Sequence, residues 1–105
     1  MNQLVVYKGR TNIVPVSLGY DVSNDTIVSE IRVEKSRESE LIATWAVSFL
    51  NDGTDGELIF TLDNSVTENI VRTIGYMDIK RVSNDEPLNV LDDVIEVLIK
   101  DPITA

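Results

Sequence analysis

Histidine and cysteine are both missing from this chain. Without an imidazole there is no His-assisted triad, and without a thiol there is neither a disulfide framework nor a thiolate metal site. A cysteine-free protein tolerates either redox compartment, so that absence leaves location open. Glycine is sparse as well. Gly9, Gly19, Gly53, Gly56 and Gly75 never gather into a loop that would cradle a phosphate. No apolar run approaches the roughly 18 residues of a membrane-spanning helix, and the opening Met1-Asn2-Gln3-Leu4-Val5-Val6-Tyr7 has no basic n-region of a signal peptide. Basic residues are outnumbered 9 to 18, giving a net charge of −9 that opposes phosphate backbones and anionic bilayers. Neither nucleic acid nor membrane is an expected partner, and the acidity is read as a solubility feature.

What the chain does have is length and apolar content enough for one core. At 105 residues and 43% hydrophobic, it is expected to form a single domain, residues 1–105, without metal or disulfide staples. Its hydrophobic residues recur with period two. Val14, Val16, Leu18 and Tyr20 share a side within Ile13 to Tyr20, and Ile27, Ile31 and Val33 alternate with Val28, Glu30 and Arg32. Between these two strands, Asp21-Val22-Ser23-Asn24-Asp25 is turn chemistry. The mixed-charge run Glu34 to Glu40 reads as a solvated connection to a third strand, with Leu41, Ala43, Trp45, Val47 and Phe49 on one face.

Asn51-Asp52-Gly53-Thr54-Asp55-Gly56 then separates that strand from Leu58, Phe60 and Leu62, which predicts a hairpin. Ser65-Val66-Thr67-Glu68 matches a capping box and predicts one helical turn over Ser65 to Arg72. Strand character resumes from Ile74 to Val82, breaks at Ser83-Asn84-Asp85-Glu86-Pro87, and returns within Leu88 to Ile99, most strongly at Val94 to Ile99, where Val and Ile density favours strand over the competing helix around Val90 to Lys100. Roughly seven short strands with regular turns predict an all-β, immunoglobulin-like antiparallel β-sandwich with one short helical turn. Val16, Leu18, Ile31, Trp45, Val47, Leu58, Phe60 and Ile79 are its expected core.

Four groups of residues invite a chemical reading, and each has a plainer one. Asn51 to Glu57 resembles a calcium loop, but counting from Asn51 puts Gly53 at the third ligand position and Leu62 where the bidentate Glu belongs. A hairpin turn fits better. Asp92-Asp93, with Glu96 and Asp85, is acidic enough to suggest a carboxylate pair, yet adjacent strand residues point to opposite faces, which favours a turn entering the last strand. No Ser or Thr is singled out with Lys8, Lys35, Lys80 or Lys100 as its base. Tyr7, Tyr20, Trp45 and Tyr76 would make a sugar platform only if exposed together, and their alternation favours packing. No catalytic, cofactor or metal residue is therefore assigned, and the chain is expected not to be an enzyme.

The order of motifs along the chain adds a resemblance. Tyr7-Lys8-Gly9-x-Thr11 leads into an apolar strand, then Asp21-Val22-Ser23 precedes Thr26-Ile27-Val28-Ser29-Glu30-Ile31-Arg32. Asp55-Gly56-Glu57-Leu58-Ile59-Phe60-Thr61-Leu62, a helical turn and Gly75-Tyr76-Met77-Asp78-Ile79 follow, before a last apolar strand and Asp101-Pro102-Ile103-Thr104. This resembles the immunoglobulin-like β-sandwich virion modules of tailed bacteriophages, including the N-terminal domain of upper baseplate proteins. One departure is Leu91-Asp92-Asp93-Val94, where relatives often carry a Gly. The resemblance implies a non-enzymatic structural or accessory protein, assembled in the host cytoplasm. It would dock to other proteins of a tail, baseplate, neck or capsid, as a homo-oligomer or in multiple copies. An ending soon after the last strand favours a stand-alone subunit. The alternative is a carbohydrate-binding host-attachment module.

Overall fold

The computed structural model describes residues 3–91 and 93–104. Short strands dominate: β1 (Gln3–Tyr7), β2 (Asn12–Ser17), β3 (Thr26–Val28), β4 (Glu30–Arg32), β5 (Leu41–Thr44), β6 (Ala46–Phe49) and β7 (Glu57–Leu62) come first. The helical turn α1 (Asn64–Thr67) follows, then β8 (Ile74–Met77), β9 (Lys80–Ser83), β10 (Glu86–Asn89) and β11 (Ile95–Lys100). The all-β sandwich with one short helical turn expected from the sequence is what the chain forms. Among the described residues pairing is antiparallel with one exception: β1 runs parallel to β11 in the five-stranded sheet β1-β11-β8-β4-β5.

Three strands predicted as continuous are bent so that each serves two sheets. Ser29 separates β3 from β4, Trp45 separates β5 from β6, and Asp78-Ile79 separates β8 from β9. Beyond the bends, β3 and β9 join β10 in a sheet ordered β10-β9-β3, while β6 pairs with β7 in the sheet β2-β7-β6. Strands that switch sheets make the corners of a sandwich, and here the corners are tied together. The Ser29 hydroxyl donates to the Asp78 carbonyl at 2.6 Å, and the Trp45 amide donates to the Ser29 carbonyl at 3.0 Å.

The core lies between the sheets. Val6, Ile31, Met77, Ile95, Val97 and Ile99 come from the five-stranded sheet, facing Leu58, Phe60 and Leu62 of β7. The Trp45 and Phe60 rings meet at 5.9 Å in a tilted pair, a favoured aromatic geometry. Of the predicted core, Ile31, Trp45, Leu58, Phe60 and Ile79 are buried, whereas Val16, Leu18 and Val47 pack against it with part of their surface exposed. Two face assignments need correction. Tyr20 lies beyond the end of β2, exposed, with the Arg81 guanidinium 4.9 Å from its ring centroid, and Leu41 at the start of β5 is exposed too.

The turns follow their side chains. Asn84 and Asp85 both have positive φ, 52° and 64°, the requirement for a tight two-residue hairpin between β9 and β10. Pro87 falls inside β10 rather than in the break, and can do so because β10 is an edge strand. The capping box is a further correction: α1 begins after Asp63, and Glu68 stands at its C-terminal end, too late to reach back to the N-terminus. The Thr11 hydroxyl accepts from the Asn64 amide instead, at 3.1 Å, and the buried Thr67 hydroxyl donates to the Arg10 carbonyl at 2.6 Å. Tertiary contacts with the β1–β2 turn thus replace a local cap.

Candidate interaction surface

Among the described residues, the members of the four candidate groups are engaged in separate local contacts. In the Leu50 to Gly56 connection, Asp52 accepts from the Thr54 hydroxyl at 2.6 Å and amide at 3.0 Å. Asp55 accepts from the Glu57 amide at 3.0 Å and the Asn51 side chain at 2.8 Å. Each set of bonds holds its carboxyl below the ordinary value, led by the Thr54 hydroxyl for Asp52 and by the Glu57 amide for Asp55. Asp21 is lowered likewise, chiefly by the Ser23 amide. These carboxylates shape the loop, and the loop docks on a neighbour: the Val22 and Leu18 amides donate to the carbonyls of Gly53 and Gly56, both at 2.9 Å. Among the described residues no cluster of metal-ligating side chains is present.

The acidic group is dispersed. Asp93 accepts from the adjacent Val94 amide, Glu96 accepts from the Gln3 side chain at 3.0 Å, and Asp85 occupies the β9–β10 turn. Asp92 lies outside the described residues. The aromatic residues are dispersed too. Trp45 is buried, Tyr20 lies against Arg81, and Tyr76 sits 5.3 Å from Lys35 Nζ in the middle of a sheet face, away from Tyr7 at the end of β1. Of the lysines, Lys35 thus packs against an aromatic face rather than beside a hydroxyl nucleophile.

What the fold does present is the outer face and one edge of the five-stranded sheet. Leu4, Val6, Val97, Ile99 and Met77 face inward, so alternation turns Gln3, Val5, Tyr7, Glu96, Leu98, Lys100, Ile74 and Tyr76 outward. Register sets them in rows: Val5 beside Leu98 beside Ile74, and Gln3 beside Glu96 beside Tyr76 beside Arg32. The first row is apolar: Ile74 keeps 38% of its surface exposed, and Val5 and Leu98 are half-buried.

The edge is β1, which carries no charge over Gln3 to Tyr7. The Lys8 amide donates to the Lys100 carbonyl at 2.9 Å, so in the parallel ladder the even residues of β1 bond to β11 and the odd ones face outward. Tyr7 is already satisfied. Its amide donates to Asn12 Oδ1, and Asn12 Nδ2 donates to its carbonyl, both at 3.0 Å. For Gln3 and Val5, no partner occurs among the described residues. Sequence patterning assigned no strand before Ile13 and so missed β1 as well as Asn12, whose role depends on β1 and β2 being adjacent across a tight connection.

No family model and no curated protein matches the chain. Among solved structures it is similar to one concerned with photo-crosslinking analyses of multimeric cell-adhesive interactions of VGSC beta subunits. The two share 7% identity over 97% of this chain and 93% of that chain, with a TM-score of 0.41.

Proposed function

We propose that this protein is a non-enzymatic building or docking module of a tailed-phage virion, held by protein contacts in the tail, baseplate, neck or capsid. The observation that carries the docking reading is the uncharged edge of β1 next to the outward-facing Val5-Leu98-Ile74 row, in which Ile74 is exposed and Val5 and Leu98 are half-buried. An unpaired strand edge offers main-chain donors and acceptors to another strand, and an adjoining apolar row adds buried area to that contact. The virion assignment rests on the motif order from Tyr7-Lys8-Gly9 to Asp101-Pro102-Ile103-Thr104. Assembly in the host cytoplasm and presence in multiple copies belong to the same proposal, since weak contacts repeated on a lattice gain strength by multivalency.

The test is compositional. Particles purified with and without the gene product are compared by mass spectrometry and imaging, with the chain expected at a fixed stoichiometry and its density lost on deletion. Particles that never contain it, or specific turnover of a substrate by the purified chain, would overturn the assignment. A glycan array addresses the host-attachment alternative, for which specific saturable binding is the deciding result.

A further inference from the structure

We propose that β1 is a self-pairing edge: two copies of this chain join antiparallel through Gln3 and Val5, centred on Leu4, making one continuous sheet across the pair. The inference deepens the docking reading and rests on it for its biological meaning, while its physical basis is the accounting of edges.

Sheet edges invite unwanted pairing unless proline, charge, a bulge or cover blunts them. Most edges here are blunted. Edge strand β2 carries Pro15, and edge strand β10 carries Glu86 and Pro87. At β5 a register shift between Ile31 and Arg32 distorts the ladder, and β3 and β6 lie near one another around one small hollow. Only for β1, among the described edges, do regular pairing over five residues and freedom from charge and proline coincide.

Asn12 then fixes the register. With the Tyr7 amide and carbonyl taken, the outward groups left on β1 are those of Gln3 and Val5. Antiparallel pairing centred on Leu4 sets Gln3 of one copy opposite Val5 of the other, twice over. Each such pair exchanges two bonds, so about four hydrogen bonds form and these outward groups are all used. Centring on Val5 would instead demand the Tyr7 groups that Asn12 holds.

A second copy is the occupant that this short edge specifies by itself, because the outward groups of Gln3 and Val5 on one side are matched in number and spacing by the same set on the other. Two-fold pairing also sets Val5 and Leu98 of one copy alongside Gln3 and Glu96 of the other, so the two Glu96 carboxylates sit in different rows. An uncharged strand lets two chains of net charge −9 approach there without like charges directly opposite.

The experiment is hydrogen exchange and NMR on the intact chain across a concentration series. The Val5 amide is expected to gain protection with concentration, while the Val6 amide, directed at β11, stays protected throughout. A mixed sample of labelled and unlabelled protein should give an intermolecular contact between the two Leu4 α-protons, which are close in a non-hydrogen-bonded antiparallel pair. Val5→Pro should abolish association and leave the fold intact, because proline is tolerated where the edge amide points outward. Should that variant misfold, the wild-type exchange and contact data still decide. A Val5 amide that exchanges freely at every concentration, or an association that survives folded Val5→Pro, overturns the proposal. So does a monomeric chain whose Val5→Pro variant is lost from particles, since the edge would then serve a different protein. If instead the chain self-pairs as described but is absent from particles, the pairing stands and the virion assignment fails.

Discussion

The Ser29 hydroxyl donates to the Asp78 main-chain carbonyl at 2.6 Å, joining the point where β3 becomes β4 to the point where β8 leaves toward β9. Both strands change sheets here, so each backbone gives up ladder bonds and needs substitutes. Ser29 supplies two, because its own carbonyl also accepts the Trp45 amide at the third bend.

Replacing Ser29 by Ala removes the donor and leaves the Asp78 carbonyl, at a part-buried corner, without it. Urea unfolding should show a loss of about 0.5 to 1.5 kcal/mol, the usual net worth of one hydrogen bond whose acceptor water can still reach. A loss below about 0.5 kcal/mol would mean the bend is held by packing alone.

Trp45 fills the same corner with an indole that is 3% exposed, and its Nε1 has no hydrogen-bond partner among the described residues. Trp45→Ala should cost about 3 to 5 kcal/mol by cavity formation. Trp45→Phe should cost clearly less, since it keeps most of the ring while removing a buried unsatisfied donor. Comparable losses in the two variants would show that indole volume, rather than ring contact with Phe60, sets the stability of the corner.

These bends also mark the limit of what the sequence makes legible. Alternation in Leu41 to Phe49 correctly assigns Ala43 and Trp45 to the interior and keeps Val47 and Phe49 on its side, because that pattern survives a change of sheet. It cannot show that the hydrogen-bonding partner changes at Trp45, which depends on strands distant in the chain. The Asp-Gly hairpin was legible because its chemistry is local. The capping box failed for the opposite reason: Thr11 reaches Asn64 across 53 positions and displaces the local cap. The β1 edge was not legible: the short apolar run Leu4 to Val6 gave no strand signal of its own, and both its parallel pairing with β11 and its Asn12 stopper depend on residues brought together by the fold.

Gly56 has φ +75°, and a Cβ there would lie 2.4 Å from the Tyr20 carbonyl oxygen. Gly9 has a similar φ of +71° with nothing within 4 Å of the same position. Alanine at Gly9 should therefore cost only the left-handed backbone penalty, about 1 kcal/mol, whereas Gly56→Ala should cost clearly more because the Gly19–Tyr20 main chain must also shift. Thermal melts of the two variants measure the difference, and equal losses would show that the Tyr20 segment yields freely.

Acid should loosen the loops at this same end before it unfolds the sandwich. Asp21, Asp52 and Asp55 all have carboxyls lowered from 3.8 by hydrogen bonds received within the loops. A carboxyl lowered in the folded state binds its proton more readily when unfolded, so its contribution is complete above the unfolded value of about 3.9. It is lost as pH falls through the lower folded value. Repulsion from Asp52 acts in the opposite sense on Asp21 and Asp55, but ranks below the hydrogen bonds. The Thr54, Ser23 and Glu57 amide resonances should therefore be flat from pH 7 to about 5 and titrate with midpoints below 3.8. Asp52→Asn keeps an acceptor oxygen but cannot titrate, so the Thr54 midpoint should vanish while the fold persists at neutral pH. Midpoints at or above 3.8, or a Thr54 titration unchanged in Asp52→Asn, would show that these turns are not held by their carboxylates.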